Sequence, residues 1–264
     1  MSQIKSDFYK LFHSKLLLGL PALFGLAFFL LTLTHSGVYV MHSTWNGNSL
    51  GFAAFTKTDG IVYSANDFIQ TACFSAWCIW IFALLFSVMF FSREFSDGTI
   101  KLAYTYGIRC SRIYVSKLFT MIGYFGLLYL VFQMISYFYI RSCMNVILQP
   151  QEFLYLCKCL LSIFGVMVGF MITCIFVLLV IRNSTLTVLI LSVGTFVMGY
   201  LMMATWNPNN PTPKYLFISP IYYLMRITNS EMCIQVVWYV LVNAILLIPL
   251  SILVMSKGKE KLLR

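Results

Sequence analysis

Few side chains in this chain have the types and spacing that catalysis or metal binding requires. The histidines are His13, His35 and His42, and the last two could share a loop surface only with Asp59. The chain lacks a phosphate-binding G-x-x-x-x-G-K-[ST] sequence and an H-E-x-x-H sequence. The sequence therefore predicts that this chain is not an enzyme and holds no cofactor and no metal.

The eight cysteines offer little more chemistry. Most of them lie inside apolar segments, where cysteine behaves as a small hydrophobic residue. Cys157 and Cys159 would point to different sides of a helix, which makes a poor metal clip. A disulfide between Cys143 and Cys233 is an alternative that the sequence leaves open.

The charged side chains concentrate in one segment, residues 92–117, which we call the basic island. Its charged members are Arg93, Glu94, Asp97, Lys101, Arg109, Arg112 and Lys117. An apolar segment long enough to cross a bilayer lies on each side of it. A basic loop between two membrane spans marks the cytoplasmic side, where a soluble partner could bind.

Composition places the island in a membrane protein. The chain has 264 residues, of which 60% are hydrophobic and only 10% charged, and its mean hydropathy is +0.86. Soluble domains carry about 25% charged residues. The net charge of +10 does not predict nucleic-acid binding, because the basic residues cluster at the ends of apolar segments. The sequence predicts a polytopic protein in contact with membrane lipid.

Six apolar segments are long enough to span a bilayer, which needs about 20 residues. The predicted spans are Leu16–Thr34, Phe68–Phe91, Leu118–Ile140, Phe153–Ile181, Leu186–Ala204 and Ile234–Met255. The predicted fold class is therefore all-α, with six transmembrane helices in one permease-like domain, residues 1–264. Pro21 and Pro249 should kink the first and last spans or mark an interfacial turn.

The distribution of Lys and Arg sets the orientation. With the N-terminus inside, 13 of the 18 Lys and Arg residues lie on the cytoplasmic side, so both termini are predicted to be cytoplasmic. Residues 1–15 alternate apolar and basic side chains at helical spacing, which predicts an amphipathic helix on the inner leaflet. Residues 205–233 predict a re-entrant outer region, because their apolar part is too short to span.

No Asp, Glu, Lys or Arg lies near the middle of any predicted span. Carriers coupled to protons or ions usually keep such a group at mid-membrane. The deepest polar side chains are amides such as Gln133 and Asn243, which favour hydrogen bonds between helices over a transport pathway. Gly165 and Gly169 form a G-x-x-x-G pair, which predicts a close helix-packing face. If the chain transports anything, the energy comes from a partner.

Local sequence predicts a short helix within the island. Asp97, or Ser96, is placed to cap its N-terminus, and Gly107 to end it about two turns later. Ser111 could cap the next helix. A short helix held between two spans can be moved by a soluble partner and pass the motion into both. The alternative is that the charges only anchor the loop to anionic lipid.

The string E-F-x-x-G-T-I-K at Glu94–Lys101, followed by Arg109-x-x-Arg112 and by Lys117, resembles the type-2 ABC transporter permeases. The predicted layout also resembles this family, as does the Ser219-Pro220 pair before the last span. The chain looks most like the short permeases that pair with separate ATPases in bacteriocin or lantibiotic self-immunity and peptide export.

This resemblance implies a role as the membrane-spanning subunit of an ATP-driven exporter in a cell membrane, of bacterial type. Two permease chains, identical or homologous, would join two ATP-binding cassette subunits that carry ATP and Mg. The ATPase would dock on residues 94–106 and drive a hydrophobic or amphipathic substrate outward, either an antimicrobial peptide or a lipid-like molecule. The residues implied in coupling are Glu94, Asp97, Gly98, Thr99, Ile100, Lys101 and Tyr104.

Two other functions compete with this one. The chain could be a non-transporting membrane scaffold or sensor that anchors a cytoplasmic partner through the same island. It could also be a secondary carrier, which the missing mid-membrane charge disfavours.

Overall fold

The computed structural model describes Tyr9 and residues 38–45, 48–54, 63–77, 79–96, 105–204, 219–225 and 232–263. Side chains are described at Tyr9 and over 63–74, 79–93, 105–201, 219–224 and 234–257. The described helices are α1 (Ala65–Trp77), α2 (Trp80–Ser96), α3 (Cys110–Met144), α4 (Pro150–Ile181), α5 (Ser184–Ala204), α6 (Pro220–Met225) and α7 (Met232–Leu263). The strands are β1 (Val38–Trp45) and β2 (Asn48–Ala54).

Four of the described helices are long and apolar enough to cross a membrane. They are α3, α4, α5 and α7, and they contain the last four predicted spans. The predicted helical character and the membrane character of the chain are thereby confirmed. The first predicted span and the N-terminal helix lie outside the described residues, apart from Tyr9, which is helical and exposed.

The second predicted span, Phe68–Phe91, is not one continuous helix. It is divided between α1, which ends at Trp77, and α2, which begins at Trp80. No Gly or Pro stands at this break. Trp80 is buried, and its ring packs on Phe170 of α4 at a centroid distance of 5.5 Å. Tertiary packing therefore accounts for the start of α2 better than local sequence does.

Local sequence explains several other helix ends. Ser64 and Asp67 form a capping box at α1, with the Ser64 N–H donating to the Asp67 carboxylate at 2.8 Å. Gln149 and Glu152 cap α4 in the same way, and Pro150 occupies its first turn. The helix α7 continues through Pro249 to Leu263. Ser111 does not cap α3 as predicted, because Arg109 is the N-cap and accepts the first backbone hydrogen bonds.

The helix α4 lies at the centre of the described bundle. It contacts α7 most extensively and also packs against α1, α2, α3, α5 and α6. Within its most apolar segment 61% of the residues are buried, whereas the figure is 17% in α5 and in α7. The core therefore surrounds α4, and α5 and α7 present broad apolar faces outward.

A short β-ribbon was not predicted from the sequence. β1 and β2 pair antiparallel, with Val38 opposite Ala54 and Trp45 opposite Asn48. The sequence did hold a signal for it, because an Asn-Gly pair stands between the strands and favours tight hairpins. β2 packs against α1 and α6, so the segment predicted as the first outer loop meets part of the predicted re-entrant region.

Candidate functional site

The described part of the basic island is its two ends. Glu94 lies in the last turn of α2, and its side chain is not described. The other six residues implied in coupling lie outside the described residues, as does most of the short helix predicted within the island: Asp97, Gly98, Thr99, Ile100, Lys101 and Tyr104. At the other end Gly107 has φ +74°, the left-handed conformation expected of a helix-ending glycine.

The two ends of the island are joined by close packing between α2 and α3. Phe91 and Tyr114 are both fully buried, and their ring centroids are 6.0 Å apart. The Lys117 ammonium lies 6.0 Å from the centroid of the Phe90 ring, the outer limit of a cation–π contact. We call these four residues the α2–α3 joint.

The joint continues into α7. The hydroxyl groups of Tyr114 and Ser251 face each other, and neither has a hydrogen-bond partner of good geometry among the described residues. Lys117 is 4% exposed although it lies near the start of α3. Lys117 was predicted to open a span, and its burial leaves no signal in the sequence. Movement of the island would therefore act on a packed contact between three helices.

A groove lies between α2 and α5 and begins at the same end of α2. The groove has a volume of about 810 Å³ and opens to the surface of the protein. The described residues that line it are Leu85, Val88, Met89, Ser92 and Arg93 from α2, and Ser184, Thr185, Val188, Leu189, Ser192 and Val193 from α5. Its volume is within the range of small-molecule sites.

Most of the groove lining is apolar, and its polar side chains lie mainly at one end. Arg93, Ser92, Ser184 and Thr185 line that end, whereas Leu85 and Ser192 lie towards the other. Asn183 caps α5 at the polar end, and its side-chain oxygen accepts from the Leu186 N–H at 3.2 Å. Sequence periodicity could not reveal this groove, because both helices are apolar around most of their circumference.

The predicted packing glycines lie in the contact between α4 and α7. A methyl group added at Gly165 would lie 3.3 Å from the Val236 Cγ1 atom. One added at Gly169 would lie 2.7 Å from the Tyr239 Cε1 atom, closer than van der Waals contact allows. The Tyr239 ring also packs on Tyr223 of α6, with centroids 4.6 Å apart. The second glycine thus makes room for a tyrosine that links α4, α7 and α6.

The two amide side chains singled out in the sequence, Asn243 and Gln133, differ in their contacts. Asn243 of α7 accepts a hydrogen bond from the Thr173 hydroxyl of α4 at 3.2 Å, and its own Nδ2 group donates to the Tyr239 carbonyl at 2.8 Å. The predicted helix–helix hydrogen bond of Asn243 is confirmed. Gln133 is buried in α3, and its Nε2 atom has no hydrogen-bond partner within the described part of the chain.

The remaining candidates for chemistry are sparse. The described residues contain no group of three or more His, Cys, Asp or Glu side chains placed to hold a metal ion. Cys143 is a free thiol rather than a disulfide partner of Cys233. Cys73 and Cys159 form no disulfide, and their side chains are in contact between α1 and α4. Outside the spans, burial and the neighbouring Tyr222 raise the pKa of Tyr223.

The length and apolar composition of four described helices make this chain a membrane protein. The particular family is not given by similarity: no protein-family model, no curated protein and no solved structure matches the chain. A finer functional assignment therefore depends on the residues and their geometry.

Proposed function

We propose that this chain is the membrane-spanning subunit of an ATP-driven exporter in a bacterial cell membrane. A separate ATP-binding cassette ATPase, which carries ATP and Mg, docks on residues 94–106. Two membrane subunits, identical or homologous, complete the transporter. Six spans with both termini in the cytoplasm form part of this proposal, as does an outward-moving hydrophobic or amphipathic substrate.

The observation that carries the proposal is the α2–α3 joint. Phe91 and Tyr114 are fully buried against each other directly beside the island. Loose packing at this point therefore cannot absorb a displacement of the island. Packed side chains move as a unit rather than deforming gradually. A displacement of the island would therefore be passed to α3, which is 35 residues long, and through Tyr114 towards α7.

A displacement of the island would also alter the groove beside α2. α2 supplies one wall of the groove and also leads into the island. A shift of α2 relative to α5 would change the width of this apolar groove, which opens to the surface of the protein. This arrangement suits a substrate that arrives from the lipid phase better than a small water-soluble ion.

Co-purification with ATP turnover tests the proposal. The chain is expressed with the ATPase encoded beside it, reconstituted in lipid, and assayed for ATPase binding and ATP hydrolysis. Ala103→Pro should reduce both, since Pro in the interior of the predicted helix removes a backbone hydrogen bond and clashes with the preceding turn. Ala103→Ser is the matched control and should retain both, because Ser is small and compatible with a helix.

Two results would contradict the proposal. No ATPase co-purifies, or Ala103→Pro binds and stimulates the ATPase as well as Ala103→Ser does. Binding of a cytoplasmic partner without any dependence of ATP hydrolysis on the membrane subunit would instead favour the scaffold or sensor. Transport that follows a proton gradient after ATP depletion would favour a secondary carrier.

A further inference from the structure

Two cysteine side chains meet inside the bundle, between α1 and α4. Cys73 and Cys159 are far apart in the chain, yet their thiol groups are in contact. We propose that this pair is an oxidisable dithiol, which a small peroxide converts to a disulfide that fixes α1 to α4. In the reduced protein the two helices are held together by packing alone.

The surroundings of the two thiols favour a reaction between them. Cys73 is 0% exposed and Cys159 is 1% exposed. Tyr129 of α3 lies near both thiols, and its hydroxyl group donates to the Leu160 carbonyl, next to Cys159, at 2.9 Å. A third helix therefore helps to hold the pair in place. Because closely packed side chains keep their positions, the two sulfur atoms stay near each other.

The reaction is balanced with hydrogen peroxide as the oxidant. One thiol attacks the peroxide, whose O–O bond breaks, and gives a sulfenic acid and one molecule of water. The sulfur of the second thiol then attacks the sulfenic sulfur. The S–S bond forms, and the hydroxyl group leaves with the proton of the second thiol as another molecule of water. The two sulfur atoms together supply the two electrons that reduce the peroxide.

A soft metal ion is the other ligand that two cysteines could hold. Metal binding requires both groups as thiolates, and two thiolates around a monovalent ion leave a net negative charge. Such a charge is costly among buried apolar side chains, and Leu156 and Ile163 are buried on the same face of α4 as Cys159. A disulfide is neutral, so it suits this position better than a metal complex does.

The end of α1 gives a small oxidant a route to the pair. Cys73 lies one turn before Trp77, where α1 ends. Helix ends open locally more readily than helix interiors. Cys159 lies in the third turn of α4, which the orientation in the proposed function places towards the outside of the cell, where disulfides persist. The disulfide would tie α1 to α4, whereas α2, which begins separately at Trp80, would gain no covalent bond.

Peptide mapping of the purified full chain tests the proposal. The protein in mixed detergent micelles is treated with hydrogen peroxide, its remaining thiols are blocked with N-ethylmaleimide, and it is digested without reduction. Mass spectrometry should then find a peptide pair that joins Cys73 to Cys159. The oxidised protein should unfold at a thermal midpoint higher by roughly 5 °C or more, and a phosphine reductant should reverse both changes.

Cys157 supplies a matched control on the same helix. It is exposed and lies two residues before Cys159. Cys157→Ser should retain the linked peptide pair and the rise in the thermal midpoint, whereas Cys159→Ser should lose both. If Cys159→Ser does not fold, mapping of the wild-type protein decides the proposal by itself.

Three results would overturn the proposal. Peroxide could modify Cys157 while Cys73 and Cys159 stay reduced or join other cysteines. The linked pair could form without a change in the thermal midpoint, so that the bond would not fix the helices. The two thiols could retain copper(I) and form no linked pair, which would make them a metal site. None of these measurements uses the ATPase, so a failed search for that partner would leave their results unchanged.

Discussion

Replacement of Gly169 by alanine should weaken the packing of α4 against α7. The added methyl group would lie 2.7 Å from the Tyr239 Cε1 atom and 3.1 Å from Cδ1. Carbon atoms in contact are normally about 3.5–4.0 Å apart, so the overlap is roughly 1 Å. The Tyr239 ring cannot easily turn away, because Tyr223 packs against it.

Overpacking of this kind costs about 1–3 kcal/mol. The replacement also removes a helix glycine, which by itself favours the helix by up to about 1 kcal/mol. Gly194 of α5 is the matched control, since a methyl group there meets no atom within 4 Å. Gly169→Ala should therefore be less stable than Gly194→Ala by about 1–3 kcal/mol.

The two variants are compared by the free energy of unfolding in mixed detergent micelles. The double variant Gly169→Ala, Tyr239→Leu supplies the second half of the test, because the smaller side chain removes the clash. The loss in the free energy of unfolding caused by Gly169→Ala should be smaller when Tyr239 is replaced by Leu. The difference is a coupling energy of about 1 kcal/mol or more. Equal stability of Gly169→Ala and Gly194→Ala, with no coupling to Tyr239, would refute the role assigned to this contact.

Three further changes test other contacts. Asn243→Leu should lower the free energy of unfolding by about 0.6–1.7 kcal/mol through loss of the bond from Thr173, and should show coupling to Thr173→Val in a double-mutant cycle; additive effects would contradict it. Tyr129→Phe should lower the thermal midpoint by removing the 2.9 Å hydrogen bond to the Leu160 carbonyl, worth about 1 kcal/mol; an unchanged midpoint would disprove that contribution. Gly107→Ala should cost about 1–2 kcal/mol at φ +74°, measured by chemical unfolding, and Gly107→Asn should cost less; equal costs would contradict the left-handed turn.

These perturbations separate stability from function. Gly169, Asn243 and Tyr129 lie in contacts between helices away from the basic island, so their variants should unfold more easily without altering which partner binds. Gly107 lies within the island. Its alanine variant should affect both the local turn and the binding of a cytoplasmic partner.

The sequence located most of the helices correctly. The spans predicted at Leu118–Ile140 and Phe153–Ile181 lie inside α3 and α4, and the turn at Gly107 has the conformation that its glycine indicated. Length, apolar composition and backbone freedom are local properties, so they are visible in a linear pattern. The Asn-Gly pair between β1 and β2 is equally local, and it favours the hairpin that forms in a segment predicted as a loop.

Less of the candidate site could be predicted from such local patterns. The resemblance indicated the residues from Glu94 to Tyr104, and their role stays a prediction. The buried position of Lys117 beside Phe90 and the groove between α2 and α5 depend on residues distant in sequence. Neither leaves a periodic signal.

By itself the sequence determined a polytopic helical membrane protein with one strongly basic loop and no G-x-x-x-x-G-K-[ST] or H-E-x-x-H sequence. Hydrophobic length and the placement of charge fix these features, because lipid rejects exposed charge and unpaired backbone groups. Only the tertiary structure decided where α1 ends and α2 begins, which helices are in contact, and where a groove remains between two of them. In helices that are apolar on all sides, packing shape selects the contacts, and the sequence of one helix does not show the shape of its neighbour.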